Sequence, residues 1–271
     1  MLAFAANSLL CRVALASGAI DAASFTTVRF VSGALALLLF TAATGRSALS
    51  GGSWRAAAVL FVYAFPFAFA YTRLGAGTGA LVLFGSVQAT MIAAGLAAGE
   101  RPSAVEWAGL LIASGGLLWL VAPGLSTSPP PLGVALMAVA GAAWGVYSLI
   151  GRRSGDPIAA TAGTFVRLAP ATLAVSALTW PSAHVSPGGL GLALLSGIVT
   201  SGGGYIVWYQ TLRSLRATRA AVLQLSVPAL AAIGGTLVLA EPVTLRLVTA
   251  AVLILGGIAA SIAFRSRHAS S

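Results

Sequence analysis

Apolar residues fill the chain in ten nearly continuous blocks, separated by short clusters of Gly, Pro, Ser and Arg. The pattern predicts helices over residues 2–19, 23–44, 55–72, 78–98, 104–122, 132–150, 159–180, 188–211, 217–240 and 243–264. A hydrocarbon core about 30 Å thick takes roughly 20 apolar residues of α-helix, and each block is close to that length. Transmembrane strands are disfavoured because they alternate in polarity, whereas these runs are unbroken and rich in Ala, Leu and Gly. Turn formers mark the breaks, notably Gly45 to Gly52, Pro129-Pro130-Pro131 and Pro181 to Gly189.

The second five blocks repeat the first at a spacing of 140 residues. Thr78, Ala80, Val82, Leu83, Ser86, Val87 and Ala89 recur as Thr218, Ala220, Val222, Leu223, Ser226, Val227 and Ala229. An odd number of crossings per copy turns the second copy upside down relative to the first, an arrangement typical of secondary transporters. The expected organisation is therefore a first repeat over 1–125, a proline-rich linker at 126–131, a second repeat over 132–264 and a short tail at 265–271. Asn7 to Arg12 align with Tyr147 to Arg152, so the first block belongs to the repeat. It lacks the basic start of a signal peptide, and its shortness ahead of Arg12 leaves room for residues upstream.

Composition agrees with a lipid-embedded chain, since 58% hydrophobic and 7% charged residues leave too little polar surface for a water-soluble globule. Positive residues are retained on the cytoplasmic side during insertion. With both termini inside, ten arginines (46, 55, 101, 152, 153, 213, 216, 219, 265 and 267) face the cytoplasm and four (12, 29, 73 and 246) the outer side. The net charge of +10 is then explained by topology and anionic headgroups without a nucleic-acid partner. The expected location is the inner (plasma) membrane of a bacterium or archaeon.

What the chain lacks narrows its chemistry. It has no lysine, hence neither a phosphate-loop lysine nor a Schiff-base lysine. Cys11 is a single cysteine, and His184 and His268 lie in a loop and the tail, so no disulfide, metal site or cofactor is expected. No G-x-S-x-G elbow occurs, which disfavours an intramembrane hydrolase.

Asn7 to Arg12, Phe25-Thr26-Thr27-Val28-Arg29-Phe30, Gly99-Glu100-Arg101-Pro102 and Gly109 to Gly116 follow in an order that resembles one repeat of the EamA family. Trp144 to Ser148, Phe165-Val166-Arg167, Glu241-Pro242 and Gly256-Gly257 supply matching elements in the second copy. The Trp-Gly that often opens the first repeat is missing beside Asn7. The resemblance, which places the chain in the drug/metabolite transporter superfamily, implies ten helices in two inverted halves around a central cavity. It also implies secondary transport, commonly export, of small metabolites, amino acids or drug-like compounds. A channel or a non-transporting membrane subunit remains the alternative.

Polar and aromatic residues at membrane depth are the candidates for substrate contact, because unpaired polar groups are costly in hydrocarbon. Gln88 and Gln224 fall one turn apart on the same stripe of equivalent helices. An interhelical hydrogen bond is the competing use of such glutamines. Asn7, Trp144, Tyr147 and Tyr205 complete the primary set, with Tyr63 and Phe67 beside them. Tyr71, Trp208 and Tyr209 fit an interfacial belt equally well. Tyr205 follows Ser201-Gly202-Gly203-Gly204, a run that weakens a helix or lets helices pack closely. Arg29 and Arg167 occupy matching places inside their helices, where snorkelling or a helix-end carbonyl is the ordinary fate and contact with an anionic substrate the alternative. Glu100 and Glu241 each precede a proline-started helix and read as start signals, with gating as the alternative.

Overall fold

The computed structural model describes residues 1–74, 76–121, 130–238 and 244–263. Glu241, His268, most of the expected linker and the tail at 265–271 lie outside the described residues. The described chain is helical. Helices α1 (Leu2–Ala16), α2 (Ala22–Ala43), α3 (Trp54–Tyr71), α4 (Ala76–Ala97) and α5 (Ala104–Val121) form the first series. The second begins with α6 (Pro131–Arg152) and α7 (Pro157–Leu178). Helix α8 then runs Pro187–Leu212, with a π-helical stretch at Ser196–Gly203. Helix α9 comprises Ala217–Gln224 and Ser226–Val238, and α10 is Leu245–Ala263.

Among the described residues, seven helices are long and apolar enough to cross a bilayer: α2, α3, α4, α6, α7, α8 and α9. Three shorter apolar helices, Leu2–Ala16, Ala104–Leu120 and Leu245–Ser261, accompany them.

Local chemistry sets the helix starts. The Asp21 carboxylate accepts from the Ala23 and Ser24 amides at 3.0 and 2.9 Å, and Asp156 does the same for Ile158 and Ala159 ahead of Pro157. Ser53 and Ser186 cap α3 and α8 through the Ala56 and Gly189 amides. At the start of α5 the Ser103 amide donates to Glu106 at 2.8 Å and the Glu106 amide to the Ser103 hydroxyl at 3.3 Å, a reciprocal capping box.

Three pairs of helices related by the 140-residue repeat, α5 with α10, α2 with α7 and α4 with α9, pack directly on one another and run antiparallel. On α5 and α10, Gly109 meets Gly257 and Ser261 while Gly116 meets Leu253 and Ile254, so positions ascend on one helix as they descend on the other. A Cβ on Gly109 would stand 2.5 Å from the Gly257 carbonyl oxygen, so this crossing requires the absent side chain. On α2 and α7, Thr27 donates to the Thr172 carbonyl at 2.8 Å while Gly33 abuts Phe165. On α4 and α9, Gly95 abuts Thr218 and Met91 contacts Gln224.

Some consecutive helices, α1 with α2 and α3 with α4, by contrast, touch little. Helices α3 and α4 pack mainly on α6, and α1 packs on α8 and α9, the arrangement expected when equivalent helices exchange roles. The two halves thus interlace and are not two separate bundles.

Candidate functional site

The centre of the molecule holds a cavity of about 30 Å³, room for a water or two. Phe4, Asn7 and Ser8 of α1, Tyr205 of α8, and Gln224 and Val227 of α9 form one wall. Tyr63 and Phe67 of α3, Leu83 and Phe84 of α4, and Trp144 of α6 form the other, with Arg29 of α2 at the edge.

Hydrogen bonds fix the polar members. The Trp144 indole donates to Gln224 Oε1 at 2.6 Å, and Gln224 Nε2 faces the Met91 sulfur at 3.1 Å and the Ala220 carbonyl at 3.4 Å. These bonds join the two walls across the cavity. Asn7 Oδ1 accepts from Ser196 at 2.7 Å and from Thr200 at 3.3 Å, tying α1 to α8 within one wall.

Arg29 is only 2% exposed. Its Nε donates to Ser201 Oγ at 2.6 Å and one terminal nitrogen donates to the Tyr205 hydroxyl at 2.9 Å. The guanidinium carbon lies 4.9 Å from the Phe30 ring centre, and the Tyr63 hydroxyl also faces the group. Snorkelling is therefore overturned for Arg29. Two hydroxyls of α8 hold it inside the bundle, Ser201 on the π-helical stretch and Tyr205 just beyond it, and the wider π turn is a common local device at functional sites. Gly197 allows the approach, since a Cβ there would collide with the Arg29 carbonyl and the Ser32 hydroxyl.

Arg167 does follow the ordinary expectation, donating to the carbonyls of Gly51 at 2.9 Å, Gly163 at 2.8 Å and Leu49 at 3.4 Å.

A ladder of rings passes through the site along the long axis. Tyr71, Phe67, Tyr63, Trp144, Tyr147 and Tyr209 follow one another at centroid separations of 4.8, 5.3, 5.0, 5.7 and 5.1 Å. Phe4 packs edge-on against Trp144, Tyr205 and Trp208. The ladder separates two recesses at opposite ends of α3. One, about 470 Å³, is lined by Asp21, Phe69, Arg73 and His184; the other, about 170 Å³, by Ser53, Arg153, Thr164 and Tyr209.

The second recess lies at the arginine-rich end, where ion pairs close the bundle. Gly99, at φ +83, turns the chain after α4 and sends Glu100 to the start of α9. There Glu100 accepts from the Ala217 and Thr218 amides at 2.8 and 3.1 Å and from the Thr218 hydroxyl at 2.9 Å, and pairs with Arg152 at 3.2 Å. Glu106 accepts from Arg216 and Arg219 at 2.8 and 2.9 Å. Burial alone would raise the Glu100 pKa, but the amide and hydroxyl donors together with the Arg152 charge hold it below the ordinary 4.5. The reading of Glu100 as the start signal of α5 is thus corrected: Ser103 and Glu106 start that helix, and Glu100 caps α9. At the opposite end Asp21 accepts from the His184 amide at 2.9 Å, beside an antiparallel bridge between Ile20 and Val185.

Of the primary sequence candidates, the structure brings Asn7, Trp144, Tyr205 and Gln224 together at the cavity. Tyr147 is fully buried behind Trp144, within the ring ladder. Gln88 is buried on α4 but does not line the cavity, and its Nε2 has no hydrogen-bond partner. Trp208 and Tyr209 are 3% and 1% exposed, which corrects their placement in an interfacial belt. Each turns inward to a partner on α6, Trp208 to the Ser148 hydroxyl at 3.1 Å and Tyr209 to the Tyr147 carbonyl at 3.2 Å. Sequence reasoning missed Ser196, Thr200 and Ser201 as polar anchors. Their signal was spacing along one helix face beside the glycine run.

Membrane-length apolar helices around an interior polar and aromatic site define a multi-pass membrane protein. The profile of the EamA-like transporter family matches residues 131–263. The chain is 50% identical over 275 residues to the uncharacterized protein PA1977 of Pseudomonas aeruginosa, spanning all of this chain and 94% of that protein. An uncharacterized transporter of Archaeoglobus fulgidus is 28% identical over 172 residues, covering 59% of this chain and 58% of that protein. A solved crystal structure aligns with a TM-score of 0.79 at 24% identity, covering 98% of this chain and 96% of that one. The chain belongs to the EamA-like transporter family and is a membrane transporter.

Proposed function

We propose that the protein is a secondary carrier that exports a small amphipathic metabolite by alternating access about the central cavity. The observation that carries this reading is the cavity itself, enclosed between walls built from equivalent helices of the two repeats. In this reading ten helices cross the membrane, as two inverted five-helix repeats over 1–125 and 132–264. The antiparallel pairing of α5 with α10, α2 with α7 and α4 with α9 supports that layout.

Because the halves interlace, the moving units are α1, α8 and α9 against α3, α4 and α6, each drawing on both repeats. The Trp144 to Gln224 bond crosses between these units, so a substrate entering the cavity competes with it. The arginine-rich end is taken as cytoplasmic, with both termini there, in the inner membrane. The Glu100 and Glu106 contacts then act as a cytoplasmic latch, and the larger recess faces outward. The cavity is far smaller than the several hundred Å³ of a ligand site, so this conformation is a contracted one. The packed rings between the two recesses disfavour a channel, which needs a continuous polar path.

The test is counterflow in proteoliposomes. Uptake of labelled solute accelerated by unlabelled solute on the opposite side supports a carrier. Conductance without trans-stimulation points to a channel, and absence of flux across a broad metabolite panel rejects transport.

A further inference from the structure

The buried guanidinium of Arg29 narrows the substrate class. Burying a cation is costly unless it is paired, and among the described residues no carboxylate pairs with Arg29. Of the acidic residues described, Asp21 and Asp156 cap helices and Glu100 and Glu106 bind α9 and its arginines. Among the described residues the positive charge at the cavity edge is met by hydroxyls and rings.

Resting on the carrier reading above, we infer that the substrate is a small organic monocarboxylate with an apolar or aromatic body, its carboxylate held by Arg29. A planar guanidinium matches a carboxylate in charge and shape. Ser201 Oγ accepts from Arg29, which leaves the Ser201 proton to donate to an anion seated beside it, while the Tyr205 hydroxyl is shared between Arg29 and Tyr63. The rings of Phe4, Phe67 and Trp144 then cover the body of the molecule. The same charge repels amines, since no described carboxylate faces the cavity to receive an ammonium group.

Binding is read on the purified full-length chain in nanodiscs, by thermal shift and tryptophan fluorescence, with benzoate, benzyl alcohol and benzylamine and with butyrate and butylamine as probes. The inference expects the acids to stabilise the protein, the alcohol to act weakly and the amines to have no effect. It expects Arg29→Gln to weaken acid binding roughly tenfold or more while the alcohol response persists. Amines binding as well as their matched acids, or acid binding unchanged in Arg29→Gln, overturns it, as does the absence of response to any acid. Should that variant not fold, the acid and amine comparison on the unaltered protein decides alone. Counterflow with the same probes separates the two readings: amine exchange without acid exchange refutes the carboxylate assignment and leaves the carrier. Acid binding without exchange of any probe refutes the carrier and leaves the anion site.

Discussion

Arg29 on α2 and Arg167 on the helix packed against it, α7, follow similar sequence, yet one is sealed inside the bundle and the other fastens a surface turn. The difference originates in their neighbours. Helix α8 presents Ser201 from its π-helical stretch, and Tyr205 just after it, to Arg29. Helix α3, which packs on α7, has no serine or threonine, and its Tyr63 hydroxyl faces Arg29 instead. Arg167 therefore finds its acceptors among the carbonyls of Leu49, Gly51 and Gly163. Of these two arginines only Arg29 is directed inward.

The sharpest way to break this comparison is Arg29→Met. If Arg29 serves a ligand, removing an unneutralised buried charge leaves thermal stability in detergent unchanged or raises it by up to about 4 kcal/mol, while acid binding is lost. A large fall in the unfolding temperature would make Arg29 a structural fastener like its counterpart.

Next in size is Glu100, whose latch has no counterpart among the described residues of the second copy. Its carboxyl is held below 4.5, so the stability it contributes is present above that value and is lost as pH falls through the lowered one. Glu100→Gln should cost about 1–2 kcal/mol at neutral pH and flatten the acid limb of a melting-temperature profile.

The glutamines extend the contrast. Gln224→Leu breaks the bond from Trp144 and should cost about 1 kcal/mol and weaken solute binding. Gln88→Leu removes an amide nitrogen that has no partner, and should be neutral or slightly stabilising with binding intact. Equal losses in both would restore the symmetric pair of glutamines that the sequence suggests.

Arg167→Met should cost about 1 kcal/mol, measured by thermal unfolding, with binding unchanged. A loss of binding there would extend the site to the second repeat.

The positions of the helices, their lipid-facing character and the internal repeat were legible because they depend on local composition and on periodic spacing. Apolar runs of bilayer length have few alternatives, and the identities from Thr78 to Ala89 are visible without any fold. The inward residues Asn7, Trp144, Tyr205 and Gln224 were legible too, since polar and aromatic groups at membrane depth need partners. Gln88 misled because its stripe on α4 matched Gln224 on α9, while only neighbouring helices determine which part of a stripe reaches the cavity. Trp208 and Tyr209 misled because nearness to a helix end says nothing about whether a neighbour covers that end, and α6 covers both.

By itself the sequence determined a lipid-embedded, duplicated helical chain, since length and hydrophobicity act residue by residue. Which partner each polar group meets was decided only in the tertiary structure. Glu100 reaches α9 and Arg29 reaches α8 across separations of 118 and 172 residues. Contacts between helices that distant in the chain are set by packing, and no local pattern encodes them.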